Sequence, residues 1–131
     1  MCYRVADYDA GKRWFVEKLD FRVVVEWPFG TMQLGYLAPP NDDHALIELI
    51  GDGDPAPANP PPVADLNASF SKAGAHHYNF AVASVEQTIA ELRARGVTIV
   101  AEPFVLDAIA RKLAFFADPF GNLFEVGEVQ T

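Results

Sequence analysis

Apolar and polar positions along this chain change their period several times, and the changes come in the same order twice. Cys2–Ala6 reads as a short strand, and Asp7 or Asp9 can then cap a helix running to about Leu19, with Phe15 and Leu19 on its apolar side and Trp14 beside them. Phe21–Glu26, Met32–Leu37 and His44–Ile50 read as three strands. They are divided by turns at Pro28-Phe29-Gly30 and at Pro39-Pro40-Asn41-Asp42-Asp43. The predicted order is β-α-β-β-β.

Residues 51–66 are rich in proline, glycine and aspartate, a composition that supplies no core and suits a semi-rigid connector. After it the pattern restarts. His76–Val82 is a strand, and Ser84 opens a helix with Gln87 three residues on, as a capping box would. Val85, Ile89 and Leu92 form the buried stripe of that helix, and Gly96 closes it. Val97–Ala101, Leu113–Ala117 and Leu123–Val126 complete a second β-α-β-β-β set, with Asp118-Pro119-Phe120-Gly121 as a type I turn.

The two sets are in register. Glu48 in Ala45-Leu46-Ile47-Glu48-Leu49 and Glu125 in Asn122-Leu123-Phe124-Glu125-Val126 lie 77 residues apart, and the same offset links Val5-Ala6-Asp7 to Val82-Ala83-Ser84. One unit of about 50 residues is therefore written twice. Modules 1–50 and 74–128, joined by a linker over 51–73, make up a single α+β domain. The counterpart of His77 would fall immediately before Met1.

Composition narrows the function. With 10 Lys and Arg against 18 Asp and Glu, the net charge of -8 repels nucleic acid and anionic membrane surfaces and favours small-molecule partners. The single cysteine, Cys2, forms no internal disulfide, and no apolar run suggests a signal peptide or a membrane span. A cytoplasmic protein is expected.

Strand alternation selects the side chains that can meet. His77, Asn79 and Ala81 share one face of the strand that opens the second set, with Cys2 and Arg4 on the equivalent face of the first; Glu48 and Glu125 stand on the closing strands. A carboxylate among apolar strand neighbours needs a cation or donors to face. If each set curls into a cupped sheet, His77, Glu48 and Glu125 converge as ligands for a divalent ion such as Zn, Ni, Co, Mn or Fe, leaving positions for water or substrate. The plainer alternatives are solvated strand acids, a hydrogen-bonded His77 paired with His76, and an Arg4 paired with Asp7 or Glu26. Cys2 has no visible activating base. Arg111 and Lys112 either recruit an anionic substrate or are simply solvated.

Phe116-Ala117-Asp118-Pro119-Phe120-Gly121-Asn122-Leu123-Phe124-Glu125 and Gly74-Ala75-His76-His77-Tyr78-Asn79-Phe80-Ala81-Val82 resemble segments of the vicinal oxygen chelate superfamily. Its members include glyoxalase I, bleomycin-resistance proteins, extradiol dioxygenases and methylmalonyl-CoA epimerase. Tyr3-Arg4-Val5-Ala6-Asp7 and the helix beginning at Lys12 are similar to the opening of its modules, so the resemblance covers nearly the whole chain. It implies a glyoxalase-like fold of paired βαβββ modules, commonly a homodimer, with metal ligands at Glu48, His77, Glu125 and the position before Met1. Acids at both Glu48 and Glu125 tilt the reading toward glyoxalase I-like proton transfer and away from oxygen chemistry. Arg4 matches a position that meets a substrate carboxylate, and Asn79 joins it as a candidate substrate contact. Asp20 stands where the family usually has glycine, and aspartate tolerates a left-handed backbone.

The resulting expectation is a metal-dependent lyase or isomerase acting on a small carbonyl or hydroxycarbonyl compound through a chelated enediolate. Glu125 or Glu48 would move the proton. The alternative is a bleomycin-resistance-type sequestering protein, with Trp27, Phe29 and Phe104 lining its groove; an extradiol-type dioxygenase ranks last.

Overall fold

A computed structural model, which describes residues 1–129, divides the chain into two compact units, Met1–Pro60 and the residues from Pro61 onward. Unit 1 runs β1 (Cys2–Arg4), α1 (Tyr8–Leu19), β2 (Arg22–Phe29), β3 (Met32–Ala38) and β4 (Ile47–Asp52). Unit 2 runs α2 (Leu66–Ser69), β5 (Tyr78–Ala81), α3 (Val85–Ala94), β6 (Thr98–Leu106), a 3-10 turn at Asp107–Ile109, β7 (Arg111–Ala117) and β8 (Leu123–Val129). Apart from α2 and that turn, each is the βαβββ set that the apolar pattern predicts. Each unit folds a four-stranded mixed sheet, in the orders β1-β4-β3-β2 and β5-β8-β7-β6, and the α+β glyoxalase-like fold is as expected.

The duplication persists at the level of single pairs. The parallel edge pairs Cys2 with Glu48 in one sheet and Asn79 with Glu125 in the other, at the 77-residue offset of the sequence repeat. Both antiparallel edge strands break register at matching places, between Val23 and Val25 and between Ile99 and Ala101. A bulge of this kind bends and twists an edge strand, so that bend is repeated, and β6 adds a second irregularity between Ala101 and Phe104.

Strand boundaries differ from the predicted ones where proline and glycine were read as turns. β2 continues through Trp27-Pro28-Phe29 and turns only at Gly30 (φ 61°) and Thr31. Pro28 is tolerated because β2 is an edge strand, where a missing N–H breaks no second ladder. Pro103 lies in β6 for the same reason. β4 runs two residues past Ile50, and Asn59 Oδ1 accepts from Ala6 N at 2.8 Å, so the start of the expected connector belongs to unit 1. Further along, Asp65 caps the short helix α2, which periodicity did not signal.

Helix ends follow local chemistry. The Asp7 carboxylate accepts from Ala10 N at 2.9 Å and Ser84 Oγ accepts from Gln87 N at 3.2 Å. Gln87 does not return the bond as a capping box would; its amide donates to Glu91 (3.3 Å), and Val85 N is taken by Glu128 Oε2 (2.5 Å). Tyr8 N is taken in the same way by Asp52 Oδ1 (2.9 Å). The first N–H of α1 and of α3 is therefore received by an acid of the last strand of its unit, which ties helix to sheet. Asp20 (φ 58°) and Gly96 (φ 78°) supply the left-handed residues that end α1 and follow α3. Asp7→Ala is expected to cost about 1 kcal/mol, the usual loss for a capping side chain, measured as a lower urea midpoint.

One face of each sheet packs its helix. In β4, Ile47, Leu49 and Gly51 are buried while Glu48, Ile50 and Asp52 alternate to the other face. Phe15 is fully buried among the rings of Tyr3, Trp14 and Phe21, and Tyr8 and Gly11 join the expected apolar side of α1. The rings of Phe80, Phe116 and Phe124 stack in unit 2. Among the described residues no helix is long and apolar enough to cross a membrane.

Candidate functional site

The site residues follow from alternation. Because Ile47, Leu49 and Gly51 turn to the helix, Glu48 turns away from it, and the register puts Cys2 on one side and Tyr36 on the other. Glu125 occupies the same place in unit 2, between Asn79 and Phe115. Burial, and after it the Glu48 carboxylate, raise the Cys2 thiol above its ordinary range, which opposes a nucleophilic thiolate.

Unit 2 brings together three of the predicted residues. His77, placed just ahead of β5 rather than on it, has Nε2 at 3.6 Å from Glu125 Oε2, and Asn79 Nδ2 donates to Glu125 Oε1 at 2.5 Å. The Glu125 side chain is largely buried (14% exposed), with Oε1 taking the Asn79 amide and Oε2 facing the His77 imidazole. Asn79 thus orients Glu125; the sequence suggested a substrate contact for it. Glu48 lies in unit 1 with Cys2 as its neighbour.

Arg4 adopts neither of the pairings weighed from sequence. Its guanidinium donates to the carbonyls of Val5 (2.8 Å), Ile50 (3.3 Å) and Asp52 (2.5 Å), closing the end of the parallel pair. Of the basic pair at the start of β7, Lys112 is bound to Glu86 (2.5 Å) and lies 3.7 Å from Glu128, which fastens β7 to the start of α3. His44 is exposed beside the Asp42 carboxylate, which caps its N–H.

Sequence reasoning weighed His76 as a partner of His77 but missed what stands behind that pair. His76 Nδ1 lies 2.8 Å from His77 Nδ1, and His76 Nε2 lies 2.9 Å from Ser69 Oγ on α2. Phe70 stacks flat on His76 at 4.8 Å, and His77 meets the Phe115 ring edge-on at 5.2 Å. The adjacent histidines were the visible signal. Ser69 and Phe70 lay within the expected connector, where nothing in the pattern marks a contact.

Among the described residues no group of three or more His, Cys, Asp or Glu side chains able to hold a metal is formed. The pair that is formed nevertheless fits two ligands of one ion. Donors about 2.0–2.2 Å from a tetrahedral centre stand roughly 3.4 Å apart. The His77 Nε2 to Glu125 Oε2 spacing of 3.6 Å is close to that, and imidazole with carboxylate is a donor set for divalent transition ions.

A family model described as the Glyoxalase/Bleomycin resistance protein/Dioxygenase superfamily matches residues 1–126. A protein of Bacillus subtilis (strain 168), YurT, described as uncharacterized, is 25% identical over 122 residues, 93% of this chain and 91% of its own length. The crystal structure of SMU.1112c is similar with a TM-score of 0.80 and 27% identity, over 98% of this chain and 95% of that one. That of a glyoxalase family protein from Enterococcus faecalis gives 0.77 and 28%, over 98% and 94%.

Proposed function

Since this chain belongs to the Glyoxalase/Bleomycin resistance protein/Dioxygenase superfamily, we propose that it is a metal-dependent lyase or isomerase of the glyoxalase I type, acting on a small carbonyl or hydroxycarbonyl compound. The observation that carries this reading is the 3.6 Å approach of His77 Nε2 to Glu125 Oε2, with Asn79 fixing the other carboxylate oxygen. His77 and Glu125 hold the ion. A divalent ion bound by these residues supplies Lewis-acid polarisation of a substrate oxygen.

The remaining work falls to the chain. Asn79 holds Glu125 in one rotamer, which lowers the entropic cost of using it as a ligand. Glu125 is also the carboxylate that takes a proton from the carbon next to the substrate carbonyl and returns it. Arg4 makes three hydrogen bonds to backbone carbonyls out of its five N–H donors, and it stays the candidate for meeting a substrate anion.

The test is direct binding of Ni²⁺ or Zn²⁺ to purified protein by calorimetry, with metal analysis of the protein as isolated. Glu125→Gln is expected to weaken binding more than about 100-fold, beyond the usual effect of an outer-shell change. An unmodified protein that binds neither ion more tightly than Glu125→Gln sinks the enzyme reading and favours the sequestering members of the superfamily.

A further inference from the structure

The contacts behind His77 have a direction that the heavy atoms determine. Ser69 Oγ lies 2.5 Å from Leu66 O, and a carbonyl can only accept, so the hydroxyl proton lies in that bond. Toward His76 Nε2, at 2.9 Å, Ser69 Oγ is then the acceptor, and the single proton of a neutral His76 sits on Nε2. His76 Nδ1 is therefore bare and must accept, across 2.8 Å, from His77 Nδ1–H. With its one proton on Nδ1, neutral His77 presents a lone pair at Nε2 toward Glu125 Oε2, 3.6 Å away. A lone pair facing a carboxylate oxygen is repulsive, and a divalent ion between them relieves it as a proton would.

We infer that His76 and Ser69 are positioning residues that lock His77 in its Nδ1–H tautomer, so that Nε2 is permanently offered as a ligand. This rests on the proposed role of His77 in holding a divalent ion and deepens it. Unconstrained histidine in water favours the opposite, Nε2–H form, which a metal would have to displace. The stack of Phe70 on His76 and the edge contact of His77 with Phe115 hold both rings in the planes that the relay needs. Orientation of a metal-binding imidazole through its other nitrogen is the general function of such outer contacts, and their loss typically costs 10–100-fold in affinity. Here the outer partner is a second imidazole, itself fixed by a hydroxyl from α2.

The tautomer can be read without any metal. Long-range ¹H–¹⁵N correlation on metal-free protein labelled with ¹⁵N-histidine, at about pH 8 and so above the ordinary imidazole range, is expected to show His77 as Nδ1–H. His76→Phe keeps a ring to stack on Phe70 and removes both nitrogens. It is expected to return His77 to Nε2–H and to weaken Ni²⁺ or Zn²⁺ binding about 10–100-fold. Ser69→Ala, which leaves both imidazoles in place, is expected to move both readouts in the same direction by less, and serves alone if His76→Phe does not fold. An Nε2–H signal at His77 in the unmodified protein, or a His77 tautomer indifferent to both substitutions, overturns the relay. Failure of the metal reading looks different: Nδ1–H at His77, shifted by the substitutions, in a protein that binds no divalent ion.

Discussion

Asp118→Ala is expected to destabilise the protein by about 2–4 kcal/mol, read as a lower midpoint of thermal or urea unfolding. Asp118 is 2% exposed, and its carboxylate is the centre of the turn before β8. Oδ1 accepts from Phe120 N and Asn122 N, each at 2.9 Å, and Oδ2 accepts from the Asn122 amide at 2.7 Å. Asp118 N in turn donates to Asn122 O at 3.2 Å. Alanine leaves three donors without their acceptor in a partly buried turn. The turn is also what delivers Glu125, three residues past Asn122, so the same variant is expected to weaken binding of a divalent ion. A loss below about 1 kcal/mol would show that water replaces the carboxylate at little cost.

The pH dependence of that residue has a defined sign. Burial is the larger influence and holds the Asp118 carboxyl above its ordinary range, against the hydrogen bonds from Asn122 and Phe120, which lower it. A carboxyl raised on folding binds its proton more tightly in the native state. Its contribution to stability is therefore complete below the unfolded value of about 3.9 and is lost as pH rises through the folded one. The stability gap between the unmodified protein and Asp118→Asn should accordingly narrow as pH rises across that window. A gap that widens would mean that the hydrogen bonds outweigh burial.

Gly51→Ala is expected to cost about 3 kcal/mol or more, measured by urea unfolding together with the loss of ordered near-ultraviolet signal. A Cβ at Gly51 would lie 2.3 Å from Tyr8 Cα and 2.4 Å from Tyr8 N, closer than any real contact and against backbone that cannot rotate away. The start of α1 would have to lift from β4, breaking the bond from Tyr8 N to Asp52. Tyr8 itself is pressed into the sheet, with burial and the neighbouring Glu26 carboxylate holding its phenol well above the usual range. Gly51 is thus required by close approach. An alanine variant with an unchanged unfolding midpoint would show that α1 shifts freely.

Several of these features were legible in the residues. The period of the apolar pattern changes wherever a strand gives way to a helix, and helix caps are local, so Ser84 and Gly96 could be assigned from their neighbours and the first cap narrowed to Asp7 or Asp9. The left-handed Asp20 followed from the resemblance, which marks a glycine position there. The repeat was legible because a pair of glutamates among apolar neighbours is an uncommon pattern to find twice at one offset. Gly51 was read as linker, since glycine and aspartate after a strand usually mark its end. The turn at Asp118 was predicted in kind, but the burial of its carboxylate was not, because a side chain that bonds its own loop looks the same in sequence as one that faces water.

The sequence alone determined two βαβββ sets, their alternating faces, and Glu48 and Glu125 as matched acids, all of which depend on neighbours a few residues apart or on a direct repeat. Only the tertiary structure decided what each group meets: that Arg4 turns to carbonyls, that Asn79 holds Glu125, and that Ser69 and His76 stand behind His77. The physical reason is that alternation fixes the face on which a side chain emerges, whereas a hydrogen bond needs a partner within about 3 Å. That partner is supplied by chain folded back from elsewhere, and a four-residue helix such as α2 leaves no period by which to foresee it.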